Sequence, residues 1–124
     1  MIDKNYQGPE RRRFPRIPFW YIVRYKIANP NVKSHSQLLT SKSKNISLGG
    51  ILLETNHYYD ITTTIEVELD VPIDTKNHVY AKVIGSVVRC NSLGDGKSYD
   101  TAVQFISIAD EYKKNVMQLI NAFL

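Results

Sequence analysis

Apolar residues recur at every second position along most of the chain and shift to every third or fourth near its end. Over 17–27, Ile17, Phe19, Tyr21, Val23, Tyr25 and Ile27 fall on one side, with Trp20, Arg24 and Lys26 on the other, the period of two expected of a half-buried strand. Pro18 stands at its start, where a missing N–H donor is tolerated. Asn29-Pro30-Asn31 marks a turn, and a weaker strand pattern follows over 37–44. A short apolar run over 51–55 is bounded by turn-forming residues on both sides, and over 64–69 Ile65, Val67 and Leu69 alternate with Thr64, Glu66 and Glu68. The stretch 78–90 is long and rich in β-branched residues, and Gly85 near its middle predicts a bulge or sharp bend. Leu93-Gly94-Asp95-Gly96 predicts a hairpin turn into an alternating stretch over 99–105. From 109 to 124 the period changes: Tyr112, Val116, Leu119, Ile120 and Phe123 recur at helical spacing, and Ser107-Ile108-Ala109-Asp110 resembles a capping box, with Glu111 adding negative charge at the helix start. Six short strands and one terminal helix predict an all-β fold, a small six-stranded antiparallel barrel with the C-terminal α-helix over one open end.

A chain of 124 residues, 43% hydrophobic and 23% charged, fits one globular domain. Residues 1–10 hold Asn5, Gln7, Gly8 and Pro9 and little to bury, so they read as a flexible lead-in to a single domain over 11–124. The longest apolar run, Ile17 to Val23, ends at Arg24, well short of the roughly 18–20 residues of a membrane span. The first residues also lack the apolar core of a secretory signal, so the expected location is the cytoplasm. Cys90 stands alone, and His35, His57 and His78 lie about twenty residues apart, so neither an internal disulfide nor a metal site is expected. The net charge is +4. Seven cations against two carboxylates within 1–26 give that segment +5 and leave the rest at −1, and a localised cationic patch points to an anionic partner.

Several chemical patterns fail on spacing. Gly96-Lys97-Ser98 ends like a phosphate-binding loop, but Asn91 stands where its first Gly is required. Ser47 precedes Gly49 by two, yet no Gly lies two residues before it, as a nucleophile elbow requires. No serine or cysteine is placed beside a histidine by any motif, and Glu66, Glu68 and Asp70 read as the solvated side of a strand. No enzymatic activity is expected, and no cofactor.

Two elements remain. Glu10-Arg11-Arg12-Arg13-Phe14-Pro15-Arg16 sets four guanidinium groups within six residues. Each offers a planar fork for phosphate and a flat face for a base, which lysine does not. Taken alone, the run also suits a solvated tail or a nucleic-acid arm. The second element is Asn45-Ile46-Ser47-Leu48-Gly49-Gly50. Alternation sets Asn45 and Ser47 on one side, able to face a ligand together, and Ile46 and Leu48 on the other. Gly49 and Gly50 permit close approach by a planar group, and the same composition also suits a turn.

Taken together, Arg12-x-x-x-Arg16, a strand, then Asn45-x-Ser47-x-x-Gly50 resemble the PilZ domain, the bacterial receptor module for cyclic di-GMP. The likeness runs from Glu10 to the C-terminal helix and includes Gly49-Gly50-Ile51-Leu52-Leu53, Tyr99 and Val103-Gln104-Phe105. It implies a six-stranded barrel whose arginine loop, 11–16, wraps over the ligand. Arg12 and Arg16 would bind phosphate and guanine, Asn45 and Ser47 would hydrogen-bond guanine or phosphate, and Gly49 and Gly50 would leave room. Arg11, just before the arginine pattern, implies two stacked cyclic di-GMP molecules per domain. Asn45 stands where the family often has Asp, and Ala102 where it commonly has Gly, which sets a methyl group against the ligand if that position faces it. The expected role is a binding switch that passes its signal to a downstream protein controlling motility, adhesion or polysaccharide output. The alternatives are an adaptor of the same fold that binds no nucleotide and a small basic nucleic-acid-binding barrel.

Overall fold

The computed structural model describes residues 17–28 and 38–122. The arginine segment, the turn at Asn29-Pro30-Asn31, His35, Gln37 and Phe123 lie outside the described residues. The elements are β1 (Ile17–Pro18), β2 (Ile22–Ile27), β3 (Leu39–Ile46), β4 (Gly50–Thr55), β5 (Thr64–Pro72), β6 (His78–Ser92), β7 (Tyr99–Ile108) and α1 (Asp110–Ala122). All pairings are antiparallel, in the order β1-β3-β2-β5-β6-β7-β4, and β4 pairs back onto β3. Strands β2 to β7 therefore form a closed six-stranded barrel, as the alternation predicts, and β1 is a two-residue addition on β3.

The interior holds the inward residues of the alternating patterns: Phe19, Val23 and Tyr25 from the first segment, Ile65, Val67 and Leu69 from β5, and Val79, Ala81, Val83 and Val87 from β6. The helix adds Val116, Leu119 and Ile120 to the same cluster, and Asn115 Nδ2 donates to the Tyr80 carbonyl at 2.6 Å. At the helix start the capping-box expectation is corrected. Ser107 and Ile108 remain in β7, paired with Ile84 and Val83, and the Ala109 carbonyl accepts from Tyr112 and Lys113. Ladder pairing with β6 holds Ser107 away from the capping position. Asp110 and Glu111 do occupy the first turn.

The expected first strand is interrupted at 19–21. Ser43, fully buried, accepts the Tyr21 N–H at 3.0 Å and reaches the Phe19 carbonyl at 2.6 Å through its hydroxyl. A side-chain hydroxyl thus replaces one rung of the ladder, and Trp20 is left exposed. Gly85 lies at a bulge, as its position predicts. The register between β6 and β7 shifts between Ile84 and Gly85, and a Cβ there would lie 2.7 Å from the Gln104 carbonyl oxygen.

Ser43→Ala removes the partner of two backbone groups in a buried setting. We expect a loss of about 1–3 kcal/mol, read as a lower urea midpoint at unchanged slope. A second expectation concerns alkaline pH. Desolvation first, and then the hydrogen bond to Glu68 at 2.9 Å, push the Tyr80 phenol up to about 12. A raised pKa means a contribution present below the ordinary tyrosine value and lost as pH climbs toward 12. Tyr80→Phe should flatten that part of the stability profile, measured by urea unfolding across alkaline pH.

Candidate ligand-binding site

Strand β3 buries Ser41 and Ser43, and strict alternation from them would turn Asn45 into the barrel. Instead the register with β4 shifts: Ser43 opposes Leu53 and Asn45 opposes Leu52. Lys44 is the extra residue of a bulge, Asn45 reaches the outer face, and Ile46 is fully buried. The same occurs on β6. Val83, Gly85 and Val87 are buried, and alternation would place the Arg89 charge inside, at high cost in an apolar interior. A register shift between Val87 and Arg89 leaves Val88 unpaired, opposes Arg89 to Ala102, and opposes Cys90 to Thr101. Cys90 Sγ lies 3.3 Å from the buried Thr101 hydroxyl, so Cys90 is inside and Arg89 outside. Bulges re-aim side chains in this way.

Directly opposed residues share a face, so the pairings Asn45–Leu52, Leu52–Ala102 and Ala102–Arg89 form one row on the outer surface. It crosses four strands, about 14 Å at roughly 4.8 Å per strand. An amide at one end and a guanidinium at the other flank two apolar residues, and Ala102, 8% exposed, is the low point between them. The methyl at 102 therefore faces the same side as Asn45. Gly50, Gln104 and Ser86 form the next row.

Ser47, 6% exposed, serves the turn between β3 and β4. Its Oγ accepts the Gly49 N–H at 3.0 Å and its own N–H donates to the Gly50 carbonyl at 2.9 Å, while its hydroxyl hydrogen is left to donate. The Gly49 carbonyl accepts the Phe105 N–H at 2.8 Å, tying the turn to β7. At Gly50 an added Cβ would run into the Val103 carbonyl oxygen, so its missing side chain admits the β7 backbone. Arg11, Arg12 and Arg16 lie outside the described residues. Ile17 and Pro18, which follow them in sequence, pair with Ile46 and Asn45.

The cation next to Asn45 is already engaged. Lys44 Nζ lies 2.7 Å from Asp100 and 3.6 Å from Glu54, and the hydrogen bond to Asp100 holds the ammonium above the usual lysine range. Among the described residues no acidic side chain pairs with Arg89, and no three His, Cys, Asp or Glu side chains gather as a metal site. Leu52 enters the sequence analysis only within the family likeness, and Arg89 is not singled out there. The available signal was a charged residue at a position that strict alternation from Val87 assigns to the interior.

Gly50→Ala should destabilise the protein by about 1–3 kcal/mol, since the obstructing atoms are backbone. The loss should appear in a thermal melt with no ligand present.

A family model described as the PilZ domain matches residues 10–122. Among solved structures, the chain is similar to the Bacillus subtilis inhibitor of motility MotI/DgrA, with a TM-score of 0.69 and 16% identity over 90% of this chain and 50% of that one. It is also similar to the PilZ domain of YcgR from Escherichia coli, solved with c-di-GMP, with a TM-score of 0.59 and 15% identity over 92% of each chain. A third is the K. pneumonia MrkH–c-di-GMP complex, with a TM-score of 0.58 and 14% identity over 91% of this chain and 52% of that one. This chain thus spans about half the length of MotI/DgrA and of MrkH. No curated protein sequence matches it.

Proposed function

Because this chain belongs to the PilZ domain family, we propose that it is a non-enzymatic receptor for cyclic di-GMP. One observation carries the reading: β1 pairs Ile17 and Pro18 with Ile46 and Asn45. The residues that directly follow the arginine motif thereby lie opposite the Asn45 motif, about thirty residues on in sequence. The arginines supply forks for phosphate and flat faces for guanine, and Asn45 supplies an amide on the outer face of the barrel. Ser47 contributes its free hydroxyl hydrogen. Asn in place of Asp keeps a carbonyl acceptor there and removes a charge that would repel phosphate.

The ligand neutralises Arg11, Arg12 and Arg16 and holds their segment against the Asn45 surface. Arg11 supports a second, stacked molecule, for two per domain. No bond is made or broken; the output is a changed surface that a downstream protein reads. The two nucleotide-bound neighbours support the ligand class, and the outward row from Asn45 to Arg89 supports where it lies.

Isothermal titration with cyclic di-GMP tests this. We expect saturation at two equivalents in the wild type. Hydrogen bonds to charged groups contribute about 1.5–3 kcal/mol each, so Arg12→Ala and Arg16→Ala should each weaken binding by about ten- to a hundredfold. Linear pGpG and GTP should bind far more weakly. Absence of heat from a folded protein would favour the nucleotide-free adaptor.

A further inference from the structure

The outer row ends at Arg89, and resting on the receptor reading above, we infer that Arg89 is the specificity-determining residue for the guanine farther from the arginine segment. Arg89 is exposed on the same face as Asn45, three strands away. Between them Leu52 and Ala102 offer an apolar floor. A flat base suits such a floor and a phosphate does not, because burying an ionised group against apolar surface is costly. A guanidinium at the rim of that floor meets the base edge, and guanine presents there the O6 and N7 acceptors that match an arginine fork. Adenine offers a donor in place of O6.

The placement is rigid. Val87, just before the bulge, donates its N–H to the Thr63 carbonyl at 2.9 Å and accepts the Thr62 N–H at 2.7 Å. Thr62 is held at a φ of 76°, which a β-branched residue avoids unless its surroundings enforce it. The backbone is thus pinned immediately ahead of the extra residue that turns Arg89 outward. Lys44 is tied to Asp100 and Glu54, whereas the Arg89 guanidinium has no acidic partner to surrender among the described residues. Both ends of the row are set by a bulge, and both bulges deliver a polar group to the same face.

The test titrates wild type, Arg89→Ala and Arg89→Lys with cyclic di-GMP and with the mixed cyclic guanosine–adenosine dinucleotide, after thermal melts confirm equal stability of these surface variants. We expect Arg89→Ala to weaken cyclic di-GMP binding by about tenfold and to reduce its preference over the mixed dinucleotide by a similar factor. Arg89→Lys, which keeps the charge and loses the fork, should resemble Arg89→Ala. Equal weakening toward both ligands, or full rescue by lysine, would show a phosphate contact and overturn the assignment. Unchanged binding in both variants would overturn it while leaving the receptor reading intact. No binding by the wild type would remove that reading, and the inference with it.

Discussion

Six strands close into a barrel here only because β7 accepts two neighbours at unusually short range. Gly50 on β4 and Gly85 on β6 meet its backbone at Val103 and Gln104 from opposite sides, and a Cβ at either position would collide. The turn Ser47–Gly49, bonded through the Gly49 carbonyl to Phe105, depends on that approach. So does the row of outward residues, because it exists only while β3, β4, β7 and β6 keep their registers. A full closure also leaves no unpaired strand edge within the barrel for another chain to extend.

Much of this architecture is legible from periodicity. The alternation in β5 and β7 and the helix from Tyr112 to Ile120 follow from local pattern, because each depends on residues near in sequence; Gly85 marks its bulge by composition, although the cause is the Gln104 backbone on another strand. The interruption at 19–21 does not, since its cause is the hydroxyl of Ser43, more than twenty residues away. Ser107 misleads for a related reason: its local context suits a helix cap, while pairing with Ile84 keeps it in a strand.

The candidate site shows the same division. Asn45, Ser47, Gly49 and Gly50 are recognisable by spacing, and the chain brings them together at the junction of β3 and β4. What each does is less legible. Ser47 and Gly49 bond within the turn, and Gly50 yields to a backbone neighbour. The two bulges decide which residues meet the outer face, and a bulge changes face by inserting one residue that carries no compositional mark. The trace it leaves is indirect: Arg89 occupies a position that strict alternation from Val87 assigns to the apolar interior, whereas at Asn45 even that trace is missing, because the inward residues before it, Ser41 and Ser43, are polar themselves. Charges on the face are likewise a matter of register, for Lys44 meets Asp100 across strands that no local window connects.

The two residue pairs of β1 are the shortest element of the fold, yet they alter the kinetics available to anything that bridges both sides of the surface. Ile17 lies opposite Ile46 and Pro18 opposite Asn45, so a ligand that bridged the preceding arginines and Asn45, as proposed above, would find its second contact at the effective concentration of a short tether, on the millimolar scale. Under that proposal, a molecule captured by either side would meet the other without a second diffusional encounter. Its residence time, more than its arrival rate, would then be the quantity on which substitutions in the arginine segment act.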